Sequence, residues 1–438
     1  MTLLVSGTRI RILKEWATGR RAVGDLVLDV GMHNADDTAP GTPTGPEVRR
    51  RSRVSARKNG EHRPALRGPR MIGTVTRSTT RGAGLPAGPA GASVSVVVPC
   101  YNYGRYLEGC VGSVLSQEGV DVDVLIVDDA SPDGSVDIAR GIAERDERVR
   151  VLAHERNCGH IATYNEGLAL CRGDYTVLLS ADDLLVPGAL ARATAVFARY
   201  PKVGFVYGRT VYFTNTPLPA PSTRTGQHVV WDGIEWARSR CETGRGGIVS
   251  PEVVVRTDLQ QEVGGYRPEL PHSGDTEMWL RFALRADVAY VDADHAYYRM
   301  HAASMSKSQF STALADARER TRAYVSAFED APADVASEAV RLHELAMRGI
   351  AREVLWGVCR AYDRGQADEE TVGQLVDFAS GIYPGAHRLG EYRRLRLRRA
   401  AAGLAPRLAP LWFPDLAVHR IRLLQRSFAG NWWWHLRS

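Results

Sequence analysis

The sequence predicts an α/β protein in which helices cover both faces of a mainly parallel sheet, followed by a helical C-terminal extension. Between residues 93 and 200, short apolar runs alternate four times with amphipathic stretches. Polar residues follow directly after these runs, and beyond residue 310 the pattern is helical. Short buried strands alternating with helices are typical of parallel sheets that are covered on both sides.

The apolar runs predict four strands, at residues 93–99, 122–129, 148–153 and 174–180. The stretches that follow predict helices, because their apolar side chains recur every three to four residues; they cover residues 106–117, 135–145, 160–171 and 187–200. A fifth strand is predicted at 202–213, a helix at 275–285 and a strand at 288–292. Ligands of such sheets bind outside the carboxyl ends of the strands.

The charge is unevenly distributed along the 438 residues, whose formal net charge is +6. Residues 1–93 contain 16 Lys and Arg against 7 Asp and Glu, and residues 385–438 contain 11 against 2, so the part between them is acidic. Residues 1–92 are rich in Arg, Gly and Pro and have little apolar periodicity. We expect a disordered leader there, a folded domain at 93–308 and a helical, basic region at 309–438.

The cysteines and the hydropathy indicate a cytoplasmic protein. The six cysteines form no CxxC pair and no zinc-type spacing, which favours a reducing compartment. No stretch of 18 uncharged apolar residues occurs, so no membrane-spanning helix is expected.

Polar residues follow each of the four predicted strands. They are Tyr101 and Asn102, Asp128 and Asp129, Asn157, and Asp182 and Asp183. Read alone, the pair Asp182 and Asp183 suits either a metal ion or a cap on the helix that begins near Pro187.

Six motifs resemble family 2 glycosyltransferases of the GT-A fold, a Rossmann-like architecture. In chain order they are SVVVPCYNYGRYLEGCVGSVLSQ, VLIVDDASPDGS, ERNCGHIATYNEGLALCRGDY, LLSADD, SGDTEMWLRFA and YRMHAASMS. The resemblance covers about residues 93–308. It implies transfer of a sugar from a nucleotide diphosphate donor, usually with inversion and with a divalent metal on the diphosphate.

The resemblance also implies a donor pocket. Pro99 would bend the chain out of its strand, Tyr101 would pack near the base and Asn102 would fix the loop. Asp129 matches the carboxylate that accepts a hydrogen bond from uracil N3, so a UDP-sugar is expected. Asn157 matches the loop that passes the donor, with Gly159 and Asn165 beyond it, and Asp182 would contact the ribose or diphosphate.

By the same resemblance Asp183 would ligate Mg²⁺ or Mn²⁺, and His301 would be a further metal ligand or a phosphate contact, beside Arg299. Position 181 is Ala, so an Asp-x-Asp pair is absent. Hard oxygen ligands suit a cation that neutralises the charge of a leaving diphosphate.

An inverting transfer needs a base for the acceptor hydroxyl. Asp275 is the residue that matches, with Glu277 as the alternative. Asp275 is also expected to cap the helix at 275–285. Many relatives have Glu-Asp where this chain has Gly274-Asp275.

The ends of the chain leave two interpretations open. Residues 391–438 alternate Arg clusters with Leu and contain Trp432, Trp433 and Trp434. Such a segment suits peripheral contact with an anionic membrane and a lipid-linked acceptor, or packing on the acidic domain. A glycan or a small molecule is an equally open acceptor. Transfer of one sugar per encounter is expected, because the Gln-x-x-Arg-Trp motif of processive relatives is absent.

Two other function classes compete with the enzyme. A non-catalytic protein that binds sugar nucleotides or glycans could use the same fold, but intact Asp183 and Asp275 disfavour it. The Arg-rich leader has no folded reader beside it and the middle of the chain is acidic, so no nucleic-acid partner is expected.

Overall fold

A computed structural model describes residues 88, 91–214, 217–223, 227–301 and 312–401, together with the backbone of three further strands. The chain divides into two compact units, residues 1–73 and 74–438. In the first, β1 (Thr2–Val5) pairs antiparallel with β2 (Thr8–Arg11). Most of the expected disordered leader lies outside the described residues, and that expectation stays a prediction.

One ten-stranded sheet organises the second unit, in the order β3-β10-β12-β9-β11-β7-β4-β5-β6 with β8 paired to β12. Its strands are β3 (Ser78–Arg81), β4 (Ser93–Cys100), β5 (Asp121–Asp128), β6 (Val149–Ala153), β7 (Tyr175–Leu178), β8 (Leu184–Leu185), β9 (Val203–Phe213), β10 (Gln227–Trp231), β11 (Val253–Arg256) and β12 (Asp287–Arg299).

Seven of these strands run in one direction. β3 is one of them, because it is antiparallel to β10, which is itself antiparallel to β12. β4 is parallel to β5 and β7, and β5 is parallel to β6. β11 lies between β7 and β9 and is antiparallel to both, so β9 points the same way as β7, and β12 is parallel to β9. The predicted mainly parallel sheet is therefore confirmed, with β11, β10 and β8 as antiparallel members.

Helices cover both faces of the sheet. They are α1 (Gly104–Leu115), α2 (Ser135–Arg145), α3 (His160–Ala169), α4 (Ala189–Arg199), α5 (Gly233–Thr243), α6 (Thr257–Val263), α7 (Gly274–Ala283), α8 (Ala313–Glu329), α9 (Ala336–Asp363), α10 (Glu369–Ile382) and α11 (Gly390–Ala400), with short 3₁₀ turns at Ser250–Glu252 and Ala386–Arg388.

The alternation along β4 shows how the two faces are filled. Val96 and Val98 belong to a core with Leu107 of α1, whereas Val97 points the other way into a core with Phe282 of α7. Successive side chains of a strand point to opposite faces, so an unbroken apolar run is what a sheet covered on both sides requires.

The sequence prediction misses several elements in the second half of the sheet. β10, α5 and β11 lie in stretches for which no element was predicted, and β12 continues to Arg299 although the expected strand stopped at residue 292. β11 has only four residues and depends on β7 and β9 for its hydrogen bonds, which a local pattern cannot show.

The helical extension is confirmed, and it shares a core with the sheet. Ile350 of α9 packs in the same cluster as Trp236 of α5 and Phe282 of α7. α11 packs on α9, where the fully buried Arg398 donates through Nε to Asp363 at 2.8 Å. Residues 390–400 thus pack on α9 of the extension. The two interpretations of the basic C-terminal segment stay predictions, because residues 402–438, with Trp432–Trp434, lie outside the described part.

No helix among the residues that the structure describes is both long enough and apolar enough to cross a bilayer.

Candidate active site

The loop after β4 forms the first wall of the site, but not through Pro99 as expected. Pro99 stays inside β4, in register with Val127 of β5. The pairing of β4 with β7 ends at Val97, so the absent N–H of Pro99 would face no partner strand. The chain turns instead at Asn102, which has a left-handed φ of 62° and donates its amide to Ser131 Oγ at 3.0 Å. The Tyr101 ring next to it is 49% exposed.

Asp129, directly after β5, organises the second wall. Its Oδ1 accepts the Cys158 amide at 2.6 Å and its Oδ2 accepts the Gly159 amide at 2.9 Å. Asn157 donates its side-chain amide to the Asp129 carbonyl at 3.3 Å. Asp129 and Asn157 are therefore adjacent, as predicted, and in this structure the carboxylate holds the loop that leads into α3.

An imidazole bridges Asp129 and α3. His154 Nδ1 lies 2.8 Å from Asp129 Oδ1, and its Nε2 lies 2.9 Å from Glu166 Oε2. Burial favours the neutral acid, but the Cys158, His154 and Gly159 hydrogen bonds outweigh it and lower the pKa of Asp129. Burial also opposes charge on His154, yet the two carboxylates raise its pKa.

Asp182 and Asp183 follow β7 and are held by the far end of β12. Asp183 is buried, and its Oδ1 accepts the backbone amide of Arg299 at 2.8 Å. Arg299 Nε donates to the Asp182 carbonyl at 2.9 Å, and His301 Nε2 lies 2.9 Å from Asp182 Oδ2. Three predicted site residues, Asp182, Asp183 and His301, thus come together.

The Arg299 side chain packs against two aromatic rings. Its guanidinium lies 4.5 Å from the Tyr106 ring centroid and 4.4 Å from that of Phe213. Together with its two hydrogen bonds, this cation–π contact fixes the chain that carries His301 against the two carboxylates.

The alternative that Asp182 and Asp183 cap a helix is wrong. α4 begins at Ala189 after Gly188, whose φ is 72°, and no side chain caps it. The carboxylates turn toward β12 instead.

The donor set suits a divalent cation of the Mg²⁺ or Mn²⁺ type. Asp182 and Asp183 are adjacent in the chain, and His301 Nε2 lies next to the Asp182 carboxylate. The buried Asp183 carboxylate accepts a hydrogen bond from the backbone amide of Arg299. Burial and the neighbouring Asp182 raise the pKa of Asp183 well above its usual range. A carboxylate pair in this environment is stabilised by a cation, and carboxylate oxygens are the ligands that these ions prefer.

Asp275 lies in the first turn of α7, one residue past its start at Gly274. The cap is Ser273, so the expectation that Asp275 caps this helix is wrong. Its Oδ1 accepts the Tyr266 hydroxyl at 2.9 Å. Burial raises the pKa of Asp275 to about 6, against the lowering effect of the Tyr266 and Ser250 hydrogen bonds. That value suits a group that must accept a proton near neutral pH.

Glu277, the alternative base, is engaged elsewhere. Its side chain is fully buried between Arg267 Nε at 2.7 Å and Arg281 at 2.8 Å. An ion-paired carboxylate that no solvent reaches is a structural element of α7, so Asp275 is the better candidate.

Tyr266 was not predicted as a site residue, and Asn165, which holds it, was predicted only as part of the donor loop. Asn165 of α3 accepts the Tyr266 amide at 2.6 Å and donates to the Tyr266 carbonyl at 2.8 Å. A Cβ on Gly265 would meet Asn165 Oδ1 at 2.4 Å, and one on Gly274 would meet the Tyr266 ring at 2.9 Å. The small residue at 274, where many relatives have Glu, therefore makes room for Tyr266.

The candidate base and the candidate metal ligands influence one phenol. Burial raises the pKa of Tyr164, and the charges of Asp275, Asp182 and Asp183 add to the rise. Tyr164 also packs edge-on against Tyr266, with ring centroids 5.7 Å apart. The charges of both groups of acids therefore act on Tyr164.

Residues 95–248 match the family model for Glycosyl transferase family 2. An uncharacterised glycosyltransferase of Nostoc, alr2836, is 25% identical over 313 residues, which cover 67% of this chain and 91% of that protein. The putative teichuronic acid biosynthesis glycosyltransferase TuaG of Bacillus subtilis is 40% identical over 90 residues, 20% of this chain and 36% of that protein.

Among solved structures, TarS 1-349 of S. aureus in complex with UDP-GlcNAc is similar, with a TM-score of 0.51 and 16% identity. The superposition covers 74% of this chain and 92% of that one. This likeness shows a shared fold.

Proposed function

Since the chain is a glycosyltransferase that belongs to family 2 and has the GT-A fold, we propose that it moves one sugar from a nucleotide diphosphate donor, with inversion and with a divalent metal. The observation that carries the proposal is that Asp183 lies next to the Asp182–His301 pair, while a separate carboxyl, Asp275, is held by Tyr266, whose ring packs on Tyr164. Inverting transfer requires a site for the leaving diphosphate and a base on the acceptor side.

Asp275 takes the proton. The acceptor hydroxyl gives its proton to the Asp275 carboxylate while its oxygen forms a bond to the anomeric carbon, and the bond from that carbon to the diphosphate oxygen breaks. The Tyr266 hydroxyl donates to Oδ1, and with a backbone hydrogen bond from Ser250 it orients the carboxylate. The pKa of about 6 leaves Asp275 ionised at neutral pH, yet far more basic than an exposed carboxylate.

Asp183, Asp182 and His301 would hold Mg²⁺ or Mn²⁺. When bound, the ion neutralises the charge of the departing diphosphate. Arg299 orients this set through its bonds to both aspartates.

A UDP-sugar is the donor we expect. Asp129 and Asn157 lie together, and the Asp129 N–H donates to the carbonyl of Cys100, which directly precedes Tyr101 and Asn102; these are the residues matched to the donor pocket. TarS, which shares the fold, was crystallised with UDP-GlcNAc. TuaG is named for teichuronic acid biosynthesis, which supports a polysaccharide or other glycan acceptor; a lipid-linked or a small-molecule acceptor would suit the same chemistry.

A screen of donors tests the proposal. The purified full chain is incubated with Mn²⁺ or Mg²⁺ and a panel of UDP-, GDP- and dTDP-sugars, and nucleotide release and sugar transfer are measured. We expect release with at least one UDP-sugar, and a rate about 10²- to 10⁴-fold lower for Asp275→Asn.

The control is Asp137→Asn, because Asp137 is an exposed carboxylate on α2. It should keep the full rate. A non-catalytic binding protein would bind a donor without releasing nucleotide, and Asp275→Asn would then change nothing.

A further inference from the structure

A second cluster of potential metal ligands lies where β5 and β6 end. The side chains of Asp129, His154 and Cys158 place one ligand atom each within 4.8 Å of one another. Asp129 and His154 are nearly buried, whereas Cys158 is exposed. The backbone N–H groups of Cys158 and Gly159 donate hydrogen bonds to the Asp129 carboxylate. These bonds hold the loop that carries Cys158 next to Asp129.

The orientation of His154 suits metal binding. Glu166 Oε2 lies 2.9 Å from Nε2, on the side of the ring away from Asp129. Nδ1 lies 2.8 Å from Asp129 Oδ1 and donates to that carboxylate, so a metal ion would replace the proton on Nδ1 while the proton on Nε2 stays with Glu166. A carboxylate on the remote ring nitrogen is the usual support of a metal-ligating histidine, where it fixes the tautomer and raises the basicity.

The donor set selects a soft divalent cation. Thiolate, imidazole and carboxylate together suit Zn²⁺, whereas Mg²⁺ prefers oxygen ligands alone. Tetrahedral bonds of about 2.0 to 2.3 Å place ligand atoms roughly 3.3 to 3.7 Å apart. The Nδ1–Oδ1 distance of 2.8 Å would widen slightly and the thiol would move inward; Cys158 is exposed and has room to do so.

We propose that Asp129, His154 and Cys158 form a zinc site distinct from the Asp183 site, with a water molecule as fourth ligand. Binding displaces the Cys158 thiol proton and any proton on His154 Nδ1. Uptake of the ion does not depend on the proposed function. Because Asp129 and Asn157 are also the residues we assign to the nucleotide, Zn²⁺ would compete with UDP. This competition, unlike the uptake of Zn²⁺, rests on the proposed function.

Cobalt substitution tests the site. Full-length protein is titrated with Co²⁺, which shows an intense near-ultraviolet band only when a thiolate binds it, and Zn²⁺ is then added to displace it. We expect a band at one equivalent that Zn²⁺ removes. Asp183→Asn should keep the band, whereas Cys158→Ser and His154→Gln should lose it, and Glu166→Gln should weaken Zn²⁺ affinity about 10- to 100-fold.

Thiol labelling gives an independent readout. The other five cysteines are buried, so a thiol reagent should label Cys158 in the native protein, and one equivalent of Zn²⁺ should slow that labelling at least tenfold. Circular dichroism verifies that each variant is folded.

A wild-type protein without the band, or a band that persists in Cys158→Ser, would overturn the site. UDP that leaves the band unchanged would overturn the competition. Failure of the proposed function would instead leave the band intact and show as the absence of nucleotide release from every donor.

Discussion

Asp129 and Asp183 both follow parallel strands of the same sheet, yet their surroundings are opposite. Asp129 accepts two backbone amides and faces an imidazole, and these partners lower its pKa. Asp183 is buried beside Asp182, accepts one backbone amide, and has a raised pKa. Hydrogen bonds from the protein favour the ionised form of the first carboxylate. Burial and the neighbouring Asp182 disfavour the ionised form of the second, which a cation would stabilise.

The difference separates two roles of a strand-end carboxylate. A carboxylate whose charge is balanced by hydrogen bonds from the protein stabilises the fold. A buried carboxylate without enough such partners lowers the stability of the folded protein and has a higher affinity for a cation. Substitutions at the two positions should therefore act in opposite directions on stability.

Of the substitutions at these two carboxylates, Asp183→Asn should have the larger effect on activity. The amide oxygen still accepts the Arg299 N–H, but the charge that would bind the metal is gone. We expect nucleotide release to fall about 10²- to 10³-fold, while the metal-free protein unfolds at the same temperature or about 2 °C higher, since a buried like-charge pair is relieved.

The paired variant is Asp129→Asn, which should lower the free energy of unfolding by about 1 to 3 kcal/mol, because an amide cannot accept both the Cys158 and Gly159 amides as strongly. Calorimetry with a chelator measures both variants. Equal loss of stability in the two would refute the distinction.

Tyr266→Phe sharpens the comparison with an intermediate case. Asp275 is desolvated like Asp183, but it accepts a hydrogen bond from the Tyr266 hydroxyl. The charge of His272 lowers the pKa of Asp275, and the charge of Asp275 raises the pKa values of Glu252 and Tyr164. Loss of the hydroxyl removes a bond that favours the ionised form, so the pKa of Asp275 should rise above about 6.

The base works when ionised, so activity falls as pH drops through this pKa. In Tyr266→Phe the acidic limb of the kcat profile should move upward by about one pH unit, with a rate roughly fivefold lower at pH 6 and nearly normal at pH 9. A uniform loss at every pH would mean that Tyr266 only packs. Tyr101→Phe, at an exposed ring, is the control and should leave the acidic limb in place.

The sequence predicts the parts of this arrangement that are local. The apolar run at residues 93–99 has to be a strand buried on both faces, and parallel strands place Asp129, Asn157 and Asp183 at one edge of the sheet. Fold class and neighbourhood follow from such runs, together with the resemblance of the motifs.

What the sequence cannot predict depends on contacts between distant segments. Asn165 pins the Tyr266 backbone across 101 residues, and Arg299 reaches Asp183 across 116. The Gly264-Gly265-Tyr266 run signals a close backbone approach, but the partner follows only from packing. The cap expected at Asp275 and the bend expected at Pro99 were wrong for the same reason. Contacts with neighbouring strands and helices, and not local propensity, determine the backbone at both places.

His154→Gln should have the smallest effect and tests how Asp129 is held. The raised pKa of His154 means that the folded state binds its proton more tightly than the unfolded chain does. The resulting stability is fully present below the unfolded pKa of about 6.5 and is lost as pH rises through the raised value. Asp129 has a lowered pKa, so its own contribution is lost only in acid, below about pH 4.

Urea unfolding with a chelator, at pH 5.5 and pH 8, measures the difference. His154→Gln should cost about 1 kcal/mol more at pH 5.5 than at pH 8, because the charge-assisted bonds to Asp129 and Glu166 exist only when the imidazole is protonated. Glu166→Gln should shrink the pH-dependent part without removing it, since Asp129 still faces Nδ1. If wild type and His154→Gln differ equally at both pH values, the imidazole is neutral in the folded protein, and Asp129 is held by the backbone amides of Cys158 and Gly159 alone.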